Sequence, residues 1–163
     1  MTNRLDVGDR APDFTLPCAG GSAYNDVSAF TLSESLRDGP VVLAFLPGAF
    51  TNTCTDQVCV FRDSYDAFER IDASVYGVTA DMPFAQNVWI EQHDLPFSML
   101  SDQGCVVTKD YGVFRDDMYD IVDSAHRSLF GIDSDGTVVY RWMTDGDPDF
   151  DALIDDVTAA LAD

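Results

Sequence analysis

Six consecutive apolar residues, Val41-Val-Leu-Ala-Phe-Leu46, stop at the turn signal Pro47-Gly48. The run is far too short for a membrane helix, which takes roughly 20 apolar residues. It is also too continuous for a strand with one wet face, so it predicts a buried central strand. From Cys54 to Arg70 the rhythm changes. Val58, Phe61, Tyr65 and Phe68 recur every three or four residues, which predicts a helix with one apolar face. Ser74-Val-Tyr-Gly-Val-Thr-Ala80 reads as a second buried strand, followed by a helical stretch from Phe84 to His93.

The second half is laid out differently. Leu95-Pro-Phe is extended, because the residue before proline avoids helical backbone. Gly104 to Tyr111 reads as a short helix. Arg127-Ser-Leu-Phe-Gly-Ile132 and Thr137-Val-Val-Tyr-Arg-Trp142 flank Asp133-Ser-Asp-Gly136 and predict a hairpin. Phe150, Leu153, Ile154, Val157 and Leu161 mark an amphipathic C-terminal helix. Strand–helix–strand units closed by a hairpin and a helix imply an α/β sandwich around a mixed sheet. At 163 residues, with no repeat, low-complexity tract or long linker, residues 1–163 are expected to form one domain.

Charge narrows the function classes. Twenty-nine acidic residues oppose nine basic ones, a formal net charge of -20. Such a surface repels phosphate backbones and anionic membranes, so neither nucleic acid nor membrane is expected as a partner. Lys109 is the one lysine, and high acidity with almost no Lys resembles the proteins of salt-loving archaea. No apolar segment suited to a signal peptide or a membrane span is seen, so a cytoplasmic location is expected.

The four cysteines are Cys18, Cys54, Cys59 and Cys105. They form no Cys-x-x-Cys pair, and His93 and His126 lack ligand spacing, so no metal is expected. No nucleotide loop or other cofactor signature occurs either. Cys54 falls where a buried strand gives way to a helix, a place where sites form in α/β sheets. Unpaired N–H groups and the positive end of the helix dipole favour a thiolate there. On position alone, an inert buried thiol fits Cys54 equally well.

The neighbours add more. Pro47, Thr51 and Cys54 carry a Pro-x3-Thr-x2-Cys spacing that resembles the signature of the peroxiredoxins. Val7-Gly-Asp-Arg-Ala-Pro-Asp-Phe-Thr-Leu16 is similar to the family's opening segment. Phe61-Arg-Asp and Lys109-Asp-Tyr-Gly-Val113 are also family-like, and Arg127 stands where these enzymes carry their active-site arginine. The resemblance covers about residues 5 to 145.

It implies a thioredoxin-like α/β/α sandwich with a central mixed β-sheet, and a cofactor-free thiol peroxidase acting on hydrogen peroxide or alkyl hydroperoxides. Cys54 would attack the peroxide and become a sulfenic acid. Thr51 would hold the peroxide by a hydrogen bond. Arg127 would stabilise the thiolate and the charge on the leaving oxygen, with Arg141 its rival for that role. Pro47 would be an apolar wall limiting water. Gln57 stands where many relatives carry glutamate, which leaves its link to the arginine weaker or differently built.

The Cys-x4-Cys spacing is similar to the Q-type, bacterioferritin comigratory branch, a resemblance that implies Cys59 as the resolving thiol. An ideal helix puts Cα atoms five residues apart at about 8–9 Å, beyond the ~7 Å that a disulfide spans. Resolution would therefore require the first turns of the helix to unwind. Cys18 and Cys105 are expected to be bystanders. The family resemblance also implies a thioredoxin-like reductant, and a homodimer is favoured among its assemblies. The competing readings are a one-cysteine peroxidase reset by an external thiol, a disulfide oxidoreductase, and a redox-sensing or chaperone-like binding protein.

Overall fold

In the computed structural model, which describes residues 5–144, 146 and 148–162, strands and helices interleave along the chain. The first half contains β1 (Thr15–Ala19), β2 (Val27–Thr31), α1 (Leu32–Ser35), a 3-10 turn at Leu36–Asp38, β3 (Val41–Phe45), α2 (Asn52–Asp63), α3 (Tyr65–Glu69) and β4 (Ser74–Thr79). The second half contains α4 (Pro83–His93), β5 (Ser98–Ser101), α5 (Val106–Asp110), β6 (Phe114–Met118), β7 (Val122–Ala125), β8 (Arg127–Ile132), β9 (Val138–Thr144) and α6 (Phe150–Leu161). Met1 to Arg4, part of the opening segment read for a signal peptide, lie outside the described residues.

Seven strands form one sheet in the order β2-β1-β5-β4-β3-β8-β9, while β6 and β7 make a separate hairpin. β3 pairs in parallel with β4, and β4 with β5; the other pairings in the sheet are antiparallel. The sheet is therefore mixed. Alternation along β3 divides the core between its two faces. Val42, Ala44 and Leu46 join the cluster that takes in Phe61, Phe68, Trp89 and Leu153, so α2, α3, α4 and α6 cover that face. Val41, Leu43 and Phe45 join Leu32, Val107, Tyr111 and Phe130 on the other, under α1 and α5. Phe45, Tyr111 and Phe130 meet with ring centroids 5.3–5.7 Å apart.

The predicted helix over Cys54 to Arg70 is two helices. At Ser64 the backbone leaves the α region (φ -113, ψ 21), at a residue whose hydroxyl competes with helical hydrogen bonding. Both pieces keep their apolar face on one core, which is why the spacing reads as continuous: Phe61 and Phe68 sit 5.6 Å apart across the break. The predicted hairpin is β8–β9, with a bulge between Gly131 and Ile132. Among the described residues no helix is long and apolar enough to cross a membrane.

Neighbouring parallel strands bring their carboxyl ends together. Leu46 N–H donates to Val78 O, and Asp102 N–H donates to Thr79 O. The loops leaving β3, β4 and β5 therefore share one edge of the sheet, and α2 begins there.

Candidate active site

Helix α2 starts at Asn52 with Thr51 as its N-cap, so Cys54 is the third residue of the first turn. The first helical hydrogen bond runs from Thr55 N–H to Thr51 O, leaving the N–H groups of residues 52–54 without partners inside the helix. The Thr51 hydroxyl does not cap them. It donates instead to Gly48 O at 2.8 Å, which leaves the helix N-terminus open to an anion. Cys54 is 0% exposed and belongs to the core cluster with Val58 and Phe61. The buried face of α2 is Cys54, Gln57, Val58 and Phe61, a 3-4 spacing that points all four side chains at the sheet.

Arg127 reaches this sulfur from β8. Its Nη2 donates to Cys54 Sγ at 3.3 Å, and its Nη1 donates to Gln57 Oε1 at 2.9 Å. Strand alternation explains why this arginine arrives and Arg141 does not. Arg127 shares a face with Leu129, and Leu129 lies in the same core cluster as Cys54. Arg141 is paired with Phe130 across β8–β9, and Phe130 faces the opposite layer. Gln57 is fully buried, and its Nε2 has no hydrogen-bond partner, so the amide is oriented by the arginine alone.

The loop from Pro47 to Thr51 is held by residues that motif reading did not single out. Asp81, just past β4, accepts from Ala49 N–H through Oδ2 at 2.8 Å. Its own backbone is fixed by Ser101, whose hydroxyl donates to Asp81 O at 2.7 Å. On the other side Ser124 of β7 donates to Pro47 O. Between these anchors Phe50 adopts φ 68, a left-handed backbone that a bulky side chain rarely takes. Its ring is 49% exposed and stands 6.2 Å from the buried Trp89 ring. Asp81 could have been found from the parallel pairing of β3 and β4, which places the residues after both strands side by side.

The remaining thiols separate by environment. Cys59 is half-buried on α2, with Sγ 3.9 Å from His93 Nδ1. Cys18 lies in β1, and burial pushes its thiol pKa up. Cys105 is buried at the start of α5 with φ 58. Burial, with Asp102 and Asp123 adding negative charge, pushes its thiol up as well. A raised pKa keeps a thiol protonated and unreactive. The structure thus brings Arg127 to Cys54 in the first turn of α2, places Thr51 at that helix's N-cap and Pro47 in the loop before it, and sets Cys59 further along the same helix.

A sequence model of the AhpC/TSA family matches residues 7–141. A chloroplastic peroxiredoxin Q of Populus jackii is 38% identical over 114 residues, 69% of this chain and 50% of the relative, so the chain spans half that relative's length. A putative peroxiredoxin of Mycobacterium tuberculosis is 36% identical over 140 residues, 85% of each chain. The crystal structure of peroxidoxin BcpB from Mycobacterium tuberculosis matches with a TM-score of 0.84 at 32% identity, covering 97% of both chains. A Xylella fastidiosa PrxQ mutant structure matches with a TM-score of 0.82 at 23% identity over 96% of this chain and 98% of that one, a likeness of fold. The chain belongs to the AhpC/TSA family and has the thioredoxin-like α/β fold, with a central mixed sheet, that its peroxiredoxin relatives share.

Proposed function

We propose that the chain is a thiol-dependent peroxidase in which Cys54 is the attacking sulfur. The observation that carries this reading is the 3.3 Å approach of Arg127 Nη2 to Cys54 Sγ at the open start of α2. A permanent cation and unpaired N–H groups face one sulfur, and both stabilise its anion. The thiolate attacks one oxygen of a hydroperoxide, the O–O bond breaks, and the sulfur becomes a sulfenic acid. The leaving oxygen departs with the bonding pair and takes a proton, giving water or an alcohol. Arg127 faces the growing charge on that oxygen.

Thr51 has a defined part. Its hydroxyl proton is committed to Gly48 O, so toward a substrate it acts as an acceptor for the peroxide O–H. Pro47 walls the sulfur without offering an N–H. Full burial of Cys54 limits the water that can reach the sulfenic acid.

Cys59 is the resolving thiol, and a thioredoxin-like dithiol regenerates the pair. One domain suffices for this chemistry, working in the cytoplasm, with a homodimer as the favoured assembly. Stopped-flow peroxide consumption by wild type, Cys54→Ser and Cys59→Ser tests the proposal. Cys54→Ser should lose peroxide reduction. Cys59→Ser should keep the first turnover and lose rapid recycling by a dithiol. Full activity in Cys54→Ser would contradict the whole reading.

A further inference from the structure

The surroundings of Cys59 are built for proton transfer. His93, the last residue of α4, points Nδ1 at Cys59 Sγ from 3.9 Å. Arg62, one turn beyond Cys59 and on the same face, donates from Nη1 to the backbone carbonyl of His93 at 2.7 Å and from Nε to Asp63 Oδ1 at 2.9 Å. The guanidinium pKa is raised by the Asp63 hydrogen bond first, with the negative charges of Asp63 and Asp94 adding to it. The imidazole itself meets the Cys59 thiol from α2 and Trp89 one turn back on α4, with ring centroids 6.3 Å apart, while the Arg62 cation sits on the His93 backbone carbonyl with Asp63 and Asp94 as the charged neighbours of that guanidinium.

Two consequences follow from this layout. A neutral imidazole with its proton on Nε2 presents a lone pair at Nδ1 to the thiol S–H, and imidazole is the side chain suited to taking a proton near neutral pH. In addition, the Arg62–His93 bond ties the C-terminal half of α2 to α4. The N-terminal half, carrying Cys54 and Gln57, is tied instead to β8 through Arg127, so the two halves are held by different elements and unwinding can be confined to the turns before Cys59.

We propose that His93 is the general base for Cys59 during disulfide formation, and that Arg62 keeps Cys59 beside it while the Cys54 end of α2 unwinds. This rests on the reading that Cys59 resolves the sulfenic acid. The step balances as follows. His93 Nδ1 takes the Cys59 proton and the Cys59 sulfur attacks the Cys54 sulfur. The S–O bond of the sulfenic acid breaks as the S–S bond forms, and the departing hydroxide takes up the proton that the His93 imidazolium gives back, leaving as water. Cys59 is oxidised to the disulfide level, and the Cys54 sulfenic sulfur is reduced to it.

The test times the 54–59 disulfide. Reduced wild type and His93→Gln are mixed with one equivalent of hydrogen peroxide, quenched by thiol alkylation at intervals across a pH series, and read by mass spectrometry. His93→Gln should form the disulfide about 100-fold more slowly at neutral pH, the lower end of what general-base catalysis contributes. Added imidazole should restore part of the rate. The wild-type rate should fall as acid protonates the imidazole, whereas the variant's rate should keep climbing into alkaline pH as the thiol ionises unaided. His93→Asn provides a second, smaller variant, and the wild-type pH profile needs none. A wild-type rate in both variants, or a slowed rate that keeps the wild-type pH profile, overturns the assignment. A wild type that consumes peroxide without ever forming the 54–59 disulfide overturns instead the underlying reading of Cys59.

Discussion

Gln57 Oε1 accepts from Arg127 Nη1 at 2.9 Å, so the cation facing Cys54 is steadied by a neutral amide on the same helix as the sulfur. A carboxylate at this position would hold the arginine more firmly and would also place a negative charge beside the thiolate. The amide avoids that charge, at the cost of a buried Nε2 with no partner. Gln57→Leu removes the acceptor and the orphaned donor together. We expect peroxide reduction to fall about 10-fold, in line with roughly 1.5 kcal/mol for a hydrogen bond to a charged group. Stability should change by less than about 1 kcal/mol, because the lost bond and the relieved burial offset one another. Stopped-flow rates and urea melts read the two effects separately.

Asp81 holds the loop rather than the sulfur. Its Oδ2 is the acceptor for Ala49 N–H, and Ala49 precedes the strained Phe50. Asp81→Ala leaves that N–H unpaired and lets the loop from Pro47 to Thr51 shift. A fall of about 10-fold in peroxide reduction is expected, since sub-ångström placement governs such steps. Asp81→Asn keeps an acceptor oxygen and should recover most of the rate. Equal rates in Asp81→Ala and wild type, measured by stopped flow, would remove the residue from the positioning shell.

Much of this was readable in the chain, and the exceptions have physical causes. The run Val41-Val-Leu-Ala-Phe-Leu46 gave away β3 because a strand buried on both faces carries no alternation to blur it. Motif spacing singles out Pro47, Thr51 and Cys54, and family position singles out Arg127; in the fold Arg127 meets Cys54 at the helix whose N-cap is Thr51. β1 reads only as a strand or a turn around Cys18, because Pro17 interrupts it; β5 pairs with Cys18 and Ala19 alone, so the proline lies beyond that ladder. β5 is four residues with serine at both ends, too short to show a period. Ser64 divided a helix whose apolar spacing runs through the break. Asp81 and His93 act across distances that no local pattern encodes, each meeting α2 or its loop from another element.

Tyr111 sets an alkaline limit on stability. Its hydroxyl donates to Pro12 O at 2.8 Å, and burial, with Asp13 and Asp110 adding negative charge, pushes its pKa far above the ordinary range. The unfolded phenol ionises near pH ~10 while the folded one stays protonated. The folded state then binds more protons, so stability is fully present below pH ~10 and falls above it, by up to about 1.4 kcal/mol per pH unit. Tyr111→Phe should lose stability at neutral pH through the missing hydrogen bond and show a shallower alkaline decline. Thermal melts of both proteins from pH 8 to pH 11 check this.

A net charge of -20 on 163 residues makes self-repulsion a large destabilising term at low ionic strength. Salt shortens its range from about 30 Å at 0.01 M to about 3 Å at 1 M. The melting temperature is expected to climb steeply from low to multimolar salt. A melting temperature independent of salt would contradict this account of the acidic surface.

The most direct test of the central claim is where the first oxygen lands. Fully reduced Cys59→Ser is treated with one equivalent of hydrogen peroxide, trapped with a sulfenic-acid reagent, digested and analysed by mass spectrometry. The account predicts the label on Cys54, with Cys18 and Cys105 unmodified. A label on Cys18 or Cys105 with Cys54 untouched would contradict it.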